Sequence, residues 1–192
     1  MRRAILLLMV MAVVLVVASG VALAVTKVGS PGDDVLVGTD QPDTLDGRAG
    51  DDVIHGLGGN DGRAHGRLTG GLGDDVIYGE SGNDDMIGGR RLGSRDAGED
   101  KIHGGSGNDR MDGGPGKDVL NGGSGDDELY ANGFFGRPDA PDVVNGGGGN
   151  DFIIVVDLGD ATKDVVNCGA GSDLVFADRK DVLNDCERVR LP

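Results

Sequence analysis

Aspartate returns at intervals of nine along this 192-residue chain. Asp34, Asp43, Asp52 and Asp61 keep that spacing, then Asp75 and Asp84, then Asp100, Asp109, Asp118 and Asp127, then Asp142 and Asp151, and last Asp164 and Asp173, with insertions between the groups. An isolated Asp-Gly pair is a solvated turn, but unrelated turns have no reason to keep a common spacing. Carboxylates in register, each following a glycine-rich turn whose carbonyls are open, supply the oxygen donors of a hard cation. Calcium takes roughly six to eight oxygens with tolerant geometry, whereas magnesium requires a stricter octahedron and retains water. The twelve aspartates from Asp34 to Asp151 are therefore the candidate ligands, for several Ca2+ ions.

Something must hold these carboxylates in line. Two residues after most of them stands an aliphatic side chain: Leu36, Leu45, Ile54, Ile77, Met86, Ile102, Met111, Leu120, Leu129, Val144, Ile153, Val166 and Val175. In a short strand the residues on either side of such a position face the opposite way, so these side chains share one inner ladder. Their ladder is thin, and alone it is too weak to order the chain.

The repeat is best preserved in GGLGDDVIY (Gly70 to Tyr78), GGSGNDRMD (Gly104 to Asp112), GGPGKDVLN (Gly113 to Asn121), GGSGDDELY (Gly122 to Tyr130) and GGGGNDFII (Gly146 to Ile154). This tandem array resembles the RTX, or haemolysin-type, calcium-binding nonapeptide G-G-x-G-x-D-x-U-x. The resemblance implies an all-β fold: a parallel β-roll, a right-handed β-solenoid of about 18 residues per coil, here with irregular insertions and a disulfide-stapled C-terminal cap. In such a roll Asp34 lies over Asp52, Asp43 over Asp61, Asp100 over Asp118 and Asp109 over Asp127, each pair repelling without a cation and sharing one with it.

Composition agrees with a chain of this kind. It has 38 glycines, no tryptophan and 3% aromatic residues, so a large conventional core is excluded. Met1 to Ala24 reads as a secretory signal, with Arg2 and Arg3 before an apolar run and Ala22-Leu23-Ala24 as the cleavage site. An uncleaved anchor is the rival reading of residues 4–25, against which stand Ser19, Gly20 and the lack of a basic stop-transfer cluster. Loss of Arg2 and Arg3 takes the formal charge from −15 to −17. Such a chain repels nucleic acid and anionic lipid and attracts cations; no nucleic-acid partner is expected, and no membrane after cleavage. In an oxidising compartment Cys168 and Cys186 are expected to pair, and the absence of a nearby histidine argues against zinc.

The chain divides into residues 1–24 as signal, 25–157 as roll, and 158–192 as degenerate repeats and cap, where Asp164, Asp173 and Asp181 hold weakened ladder positions. Several places depart from the pattern. Gln41 and Pro42 interrupt the turn before Asp43 and predict a misshapen ledge there. Arg63 replaces an aliphatic residue, and Leu68 is expected to turn back inward in its stead. Gly88 to Gly98, with three arginines, is an expected exposed loop, and Phe134 and Phe135 are expected to fold over the roll. His55 and His103 fall at outward, solvated positions. The chain has no G-x-S-x-G elbow or H-E-x-x-H helix, so an enzyme is not expected. The leading reading is a secreted calcium-binding repeat protein. The alternatives are a calcium-dependent surface or matrix adhesion module, its protein or glycan partner unknown, and a hydrolase or epimerase on a β-helical scaffold.

Overall fold

The computed structural model describes residues 23–62, 66–89, 98–132, 140–157 and 162–191. Residues 1–22, Arg63, His65, the arginines of 90–97, Phe134 and Phe135 lie outside them, and so do the expectations that fall on those residues.

In each repeat the last three positions read outward, inward, outward, and there the chain extends. The strands are β1 (Thr26–Val28), β2 (Val35–Thr39), β3 (Thr44–Ala49), β4 (Val53–Leu57), β5 (Arg67–Leu72), β6 (Val76–Ser81), β7 (Asp85–Gly89), β8 (Lys101–Ser106) and β9 (Arg110–Gly114). They continue as β10 (Val119–Ser124), β11 (Glu128–Asn132), β12 (Val143–Gly148), β13 (Phe152–Ile154), β14 (Val165–Ala170), β15 (Leu174–Phe176), β16 (Val182–Asn184) and β17 (Arg188–Arg190). Odd-numbered strands form one nine-stranded sheet and even-numbered strands an eight-stranded one, each in sequence order. Every strand pairs in parallel with the strand two further on, so the chain winds as a parallel β-solenoid. Among the described residues no helix is long and apolar enough to cross a membrane.

The inner ladder is as the spacing predicts. Ile102 pairs in register with Leu120, Leu120 with Val144, and Val144 with Val166, and from Leu45 to Val175 the thirteen ladder residues are wholly buried. Leu68 is among them: it pairs in register with Leu45, turned inward as expected. Four further buried residues, Ala131, Val155, Cys168 and Ala177, occupy the first position of later repeats.

Coil length departs from the expected 18. The step is 18 residues from Asp34 to Asp52 and from Asp100 to Asp118, but 23 from Asp52 to Asp75, 25 from Asp75 to Asp100, 24 from Asp118 to Asp142, and 22 from Asp142 to Asp164. The longer coils contain the insertions, and strand register resumes after each because the inward aliphatic side chain has only one face to bury. At the far end the steps shorten to 17 and 14 residues. There the expected Cys168–Cys186 disulfide is present, with Cα atoms 5.2 Å apart.

Glycine serves two separate needs. Gly125 has φ of 128°, in the left-handed region that suits glycine. Gly56 has ordinary φ but no room: a Cβ there would lie 2.5 Å from Asp61 Oδ2 and 2.9 Å from the Gly79 carbonyl oxygen. The second position of the repeat is less demanding, since Arg48, Leu57 and Glu80 adopt positive φ at it.

Candidate metal centre

Winding the chain stacks the aspartates in two columns. In the first, the backbone N–H of Asp34 donates to Asp52 Oδ1, that of Asp52 to Asp75, then on through Asp100, Asp118, Asp142 and Asp164 to Asp181. In the second, the N–H of Val25 donates to Asp43 Oδ1, followed by Asp61, Asp84, Asp109, Asp127, Asp151 and Asp173, whose own N–H meets Glu187 Oε2 at 3.0 Å. Every one of the twelve candidate residues thus lies in a column, and the four predicted stacks are among the links. The sequence gives no sign that one oxygen of each carboxylate is committed to the neighbouring coil's backbone.

The other oxygen is the one of chemical interest. Oδ2 of Asp52, Asp61, Asp75, Asp84, Asp109, Asp127, Asp151, Asp164 and Asp173 is buried without a hydrogen-bond partner. A buried charged acceptor left unsatisfied is costly. Beside most of these atoms stands a carbonyl of the next coil. A Cβ on Gly79 would be 2.6 Å from Asp84 Oδ2 and 2.7 Å from the Gly104 carbonyl oxygen, and Gly104, Gly122 and Gly146 repeat that arrangement with Asp109, Asp127 and Asp151. Carboxylate and carbonyl oxygens, with no nitrogen or sulfur, are the donor set of a hard cation. Among the described residues no three His, Cys, Asp or Glu side chains gather into one metal-binding group, so backbone carbonyls must complete any such site.

Two of the twelve differ. Asp34 is only partly buried, and its Oδ2 accepts the N–H of Ser30 at 2.5 Å. Asp43 is buried, but its Oδ2 accepts the backbone N–H of Thr39 and, at 3.0 Å, the Thr39 hydroxyl. The irregular turn before Asp43 therefore keeps its place in the column and loses its open oxygen.

Burial, the largest cause, pushes the carboxyls of Asp75, Asp84, Asp127 and Asp164 up to about 7 and those of Asp61 and Asp109 to about 6. The N–H that each accepts pulls the other way, and for Asp75, Asp84 and Asp127 the aspartates of the coils before and after push further up. At neutral pH these groups resist losing their protons unless a positive charge stands beside them.

Where Asn or Asp precedes these aspartates, it adds a second set of links, in the opposite direction. Asn83 N–H donates to Asn60 Oδ1, Asn108 N–H to Asn83, Asp126 N–H to Asn108 and Asn150 N–H to Asp126. Each of these turns therefore clasps the coil before it with one side chain and the coil after it with the other. This row escaped the sequence reading, although Asn or Asp at the fifth position also recurs every nine residues through much of the chain. A groove of about 570 Å3 runs along it and is lined by Asn60, Asn83, Asn108, Asp84 and Asp109 among others.

On the outer face of the eight-stranded sheet His55 and His103 stack against Tyr78 from either side, with ring centroids 4.9 and 5.0 Å apart. They stand at the outward positions predicted, but within a stack; burial pushes the His103 imidazole below its ordinary range.

Fold and columns together define a parallel β-solenoid wound on repeated glycine–aspartate turns. Residues 28–62, 65–90, 96–133 and 139–154 match the RTX calcium-binding nonapeptide repeat in four copies, and the chain belongs to that family. Among curated proteins none matches the chain. Family and fold make it a calcium-binding β-roll protein.

Proposed function

We propose that this is a secreted calcium-binding repeat protein whose roll forms as Ca2+ binds between successive turns. The ligands are Asp52, Asp61, Asp75, Asp84, Asp100, Asp109, Asp118, Asp127, Asp142 and Asp151, with carbonyls of the glycine turns; Asp34 and Asp43 contribute less, because Ser30 and Thr39 already satisfy one oxygen of each. The observation that carries this reading is the row of buried carboxylate oxygens without hydrogen-bond partners at Asp52, Asp61, Asp75, Asp84, Asp109, Asp127 and Asp151, each beside its own turn and most of them facing a carbonyl. Calcium supplies positive charge between oxygens that otherwise repel. The chain's own residues do the rest: the aspartate N–H groups align the carboxylates, the glycines leave space at the ledge, and the aliphatic ladder sets the register.

Binding and folding are then coupled. Without the ion, burial of so many carboxylates at neutral pH opposes a fold that has only a thin core to offset it. Secretion is supported by the leader at residues 1–24 and by the Cys168–Cys186 disulfide, which suits an oxidising compartment. Extracellular calcium suits affinities of about 10⁻⁴ to 10⁻³ M. The reading is one of binding, without catalysis.

The test is far-UV circular dichroism of the chain from residue 25 onward, in excess EGTA and in millimolar calcium, with calorimetric titration alongside. Strand signal should appear on adding calcium and vanish on chelation. Equal strand content in both conditions overturns the coupling.

A further inference from the structure

The two sheets differ on their outer faces. In a chain of formal charge −15, the eight strands of the even-numbered sheet carry only two charged side chains, Glu80 and Lys101. The strands of the other sheet carry many, among them Asp46, Arg67, Asp85, Arg110, Glu128 and Arg190. The uncharged face is also regular. Position seven of the repeat sets a row of outward valines in strand register from Val35 to Val182, interrupted by Lys101 alone. Position nine sets a second row, the stack of His55, Tyr78 and His103 followed by the asparagines from Asn121 to Asn184. At position two the strands β8, β10, β12 and β14 have Gly105, Gly123, Gly147 and Gly169 in register, which leaves a channel floored by backbone.

This face suits a flat partner without charge. Asn184 Nδ2 donates to Asn167 Oδ1 at 2.8 Å and Asn167 Nδ2 to Asn145 Oδ1 at 2.7 Å. A side-chain amide has two N–H groups and two lone pairs, so Asn167 retains one of each for an outside group. The valines are half-buried along most of the row, and Val35 at its end is 70% exposed. Eight strands about 4.8 Å apart, most of them about 20 Å long, give a face of about 700 Å2. Two such faces together bury about 1,400 Å2, the size of a stable protein–protein interface. Copies of so acidic a chain repel one another over most of their surface, and here that repulsion is least.

We propose that the folded chain pairs with a second copy of itself through this face, about a two-fold axis parallel to the solenoid and lying over position nine. Positions seven and two each stand two residues from position nine, as Val119 and Gly123 do from Asn121. The axis therefore carries the valine ridge of each copy over the glycine channel of the other, and the asparagine row over its own counterpart. Lys101, on the same strand as Gly105, then stands one strand from the second copy's Glu80, since Glu80 is the register neighbour of Gly105. The two charges of the face thus meet with opposite sign, once on each side of the axis. The pairing needs the folded roll and takes nothing from the metal.

The experiment is sedimentation velocity in millimolar calcium on the chain from residue 25, at about 0.1 to 100 μM, because interfaces of this size reach micromolar affinity or better. The parent should sediment as a dimer that dissociates on dilution. Val143→Glu puts an unpaired charge into the buried valine row and should weaken pairing at least about 100-fold. Arg67→Glu, on the outer face of the other sheet, should leave it unchanged. Lys101→Glu and Glu80→Lys should each weaken it about 10-fold by setting like charges together, and the two combined in one chain should restore it. Far-UV circular dichroism in the same buffer should give every variant the strand signal of the parent. A parent that is monomeric throughout overturns the pairing, whether the face then stays bare or holds an uncharged polymer. A dimer that survives Val143→Glu, or a combined variant that stays weak, overturns the arrangement. A dimer that persists in EGTA with its strand content unchanged would refute the coupling of folding to calcium and leave the pairing standing.

Discussion

The backbone N–H of Asp84 donates to Asp109 Oδ1 at 2.9 Å, while Oδ2 of the same carboxylate faces the Gly122 carbonyl across Gly104. One side chain thus has two separable duties, aligning the coil before it and presenting a charge to the ledge. Asparagine at this position keeps the first and abolishes the second, and its amide can donate to the Gly122 carbonyl. Asp109→Asn should weaken calcium binding at its ledge and make the metal-free roll more stable, because a buried charge is gone. Asp109→Ala should weaken both, leaving the Asp84 N–H unsatisfied at a cost of about 1–3 kcal/mol. Calcium titration and urea unfolding in EGTA separate the two variants. Identical behaviour of Asn and Ala variants in EGTA would show that the N–H bond contributes nothing.

Space at the ledge makes a second contrast. Gly79 and Gly148 both have φ outside the left-handed region, so alanine strains neither backbone. Around Gly148 nothing lies within 4 Å of an added Cβ, whereas at Gly79 it would meet Asp84 Oδ2 and the Gly104 carbonyl. Gly79→Ala should cost about 1–3 kcal/mol through overpacking and displace an oxygen of the ledge, lowering calcium affinity. Gly148→Ala should leave affinity unchanged and stabilise the roll by about 0.4–1 kcal/mol by restricting the unfolded chain. Urea unfolding in saturating calcium checks both; equal midpoints would refute the steric account.

Much of this geometry is visible in the sequence, for a physical reason. A column in a solenoid needs one residue type at one phase, so Asp109 and Met111 announce both the carboxylate row and the inner ladder by spacing alone. The phase is also what recovers Leu68 after Arg63. What spacing cannot show is anything measured between coils. Insertions make successive coils 18 to 25 residues long, so a count along the chain does not say that Asp75 takes its N–H bond from Asp52. Glu187 is hidden twice, by its identity and by its 14-residue step. Thr39 satisfies Asp43 through a hydroxyl that no repeat rule anticipates.

Acidity should imitate calcium in part. Burial raises the carboxyls of Asp61 and Asp109 to about 6 and of Asp75, Asp84, Asp127 and Asp164 to about 7, against roughly 3.9 in an unfolded chain. The folded state therefore binds protons more tightly than the unfolded one. Its advantage from these groups is complete below about pH 3.9 and is lost as pH rises through 6 to 7. In EGTA the strand signal should be greater near pH 4.5 than at pH 8, fading between pH 6 and 7. With calcium present the loss should be abolished, and binding near pH 6 should release protons, detectable as a dependence of calorimetric heat on the buffer's ionisation enthalpy. Metal-free strand content that is flat from pH 4.5 to 8 would contradict the sign of these shifts.

At the other end of the roll the first coil breaks the inner ladder on purpose. Lys27 lies in register with Leu45, at the place where the coils from Leu45 to Val175 of its sheet each bury an apolar residue, and its ammonium group donates to the Val37 carbonyl of β2. β1 and β2 are the outermost strands of their sheets, and Leu23, Val28, Val35 and Val37 are exposed around them, Val35 by 70%. Open strand edges beside exposed apolar side chains invite another chain to continue the sheet, and an inward-pointing charge is a means of preventing it. Lys27→Leu removes the charge, frees the Val37 carbonyl and extends the apolar ladder to the end of the roll. In millimolar calcium it should retain the fold by circular dichroism, with equal or higher resistance to urea. In sedimentation velocity it should form larger species as concentration rises, where the unaltered chain forms fewer. Lys27→Arg, which keeps charge and donor, should behave as the original does. If the leucine variant sediments as the parent does across the same concentrations, the edge is protected by something other than Lys27.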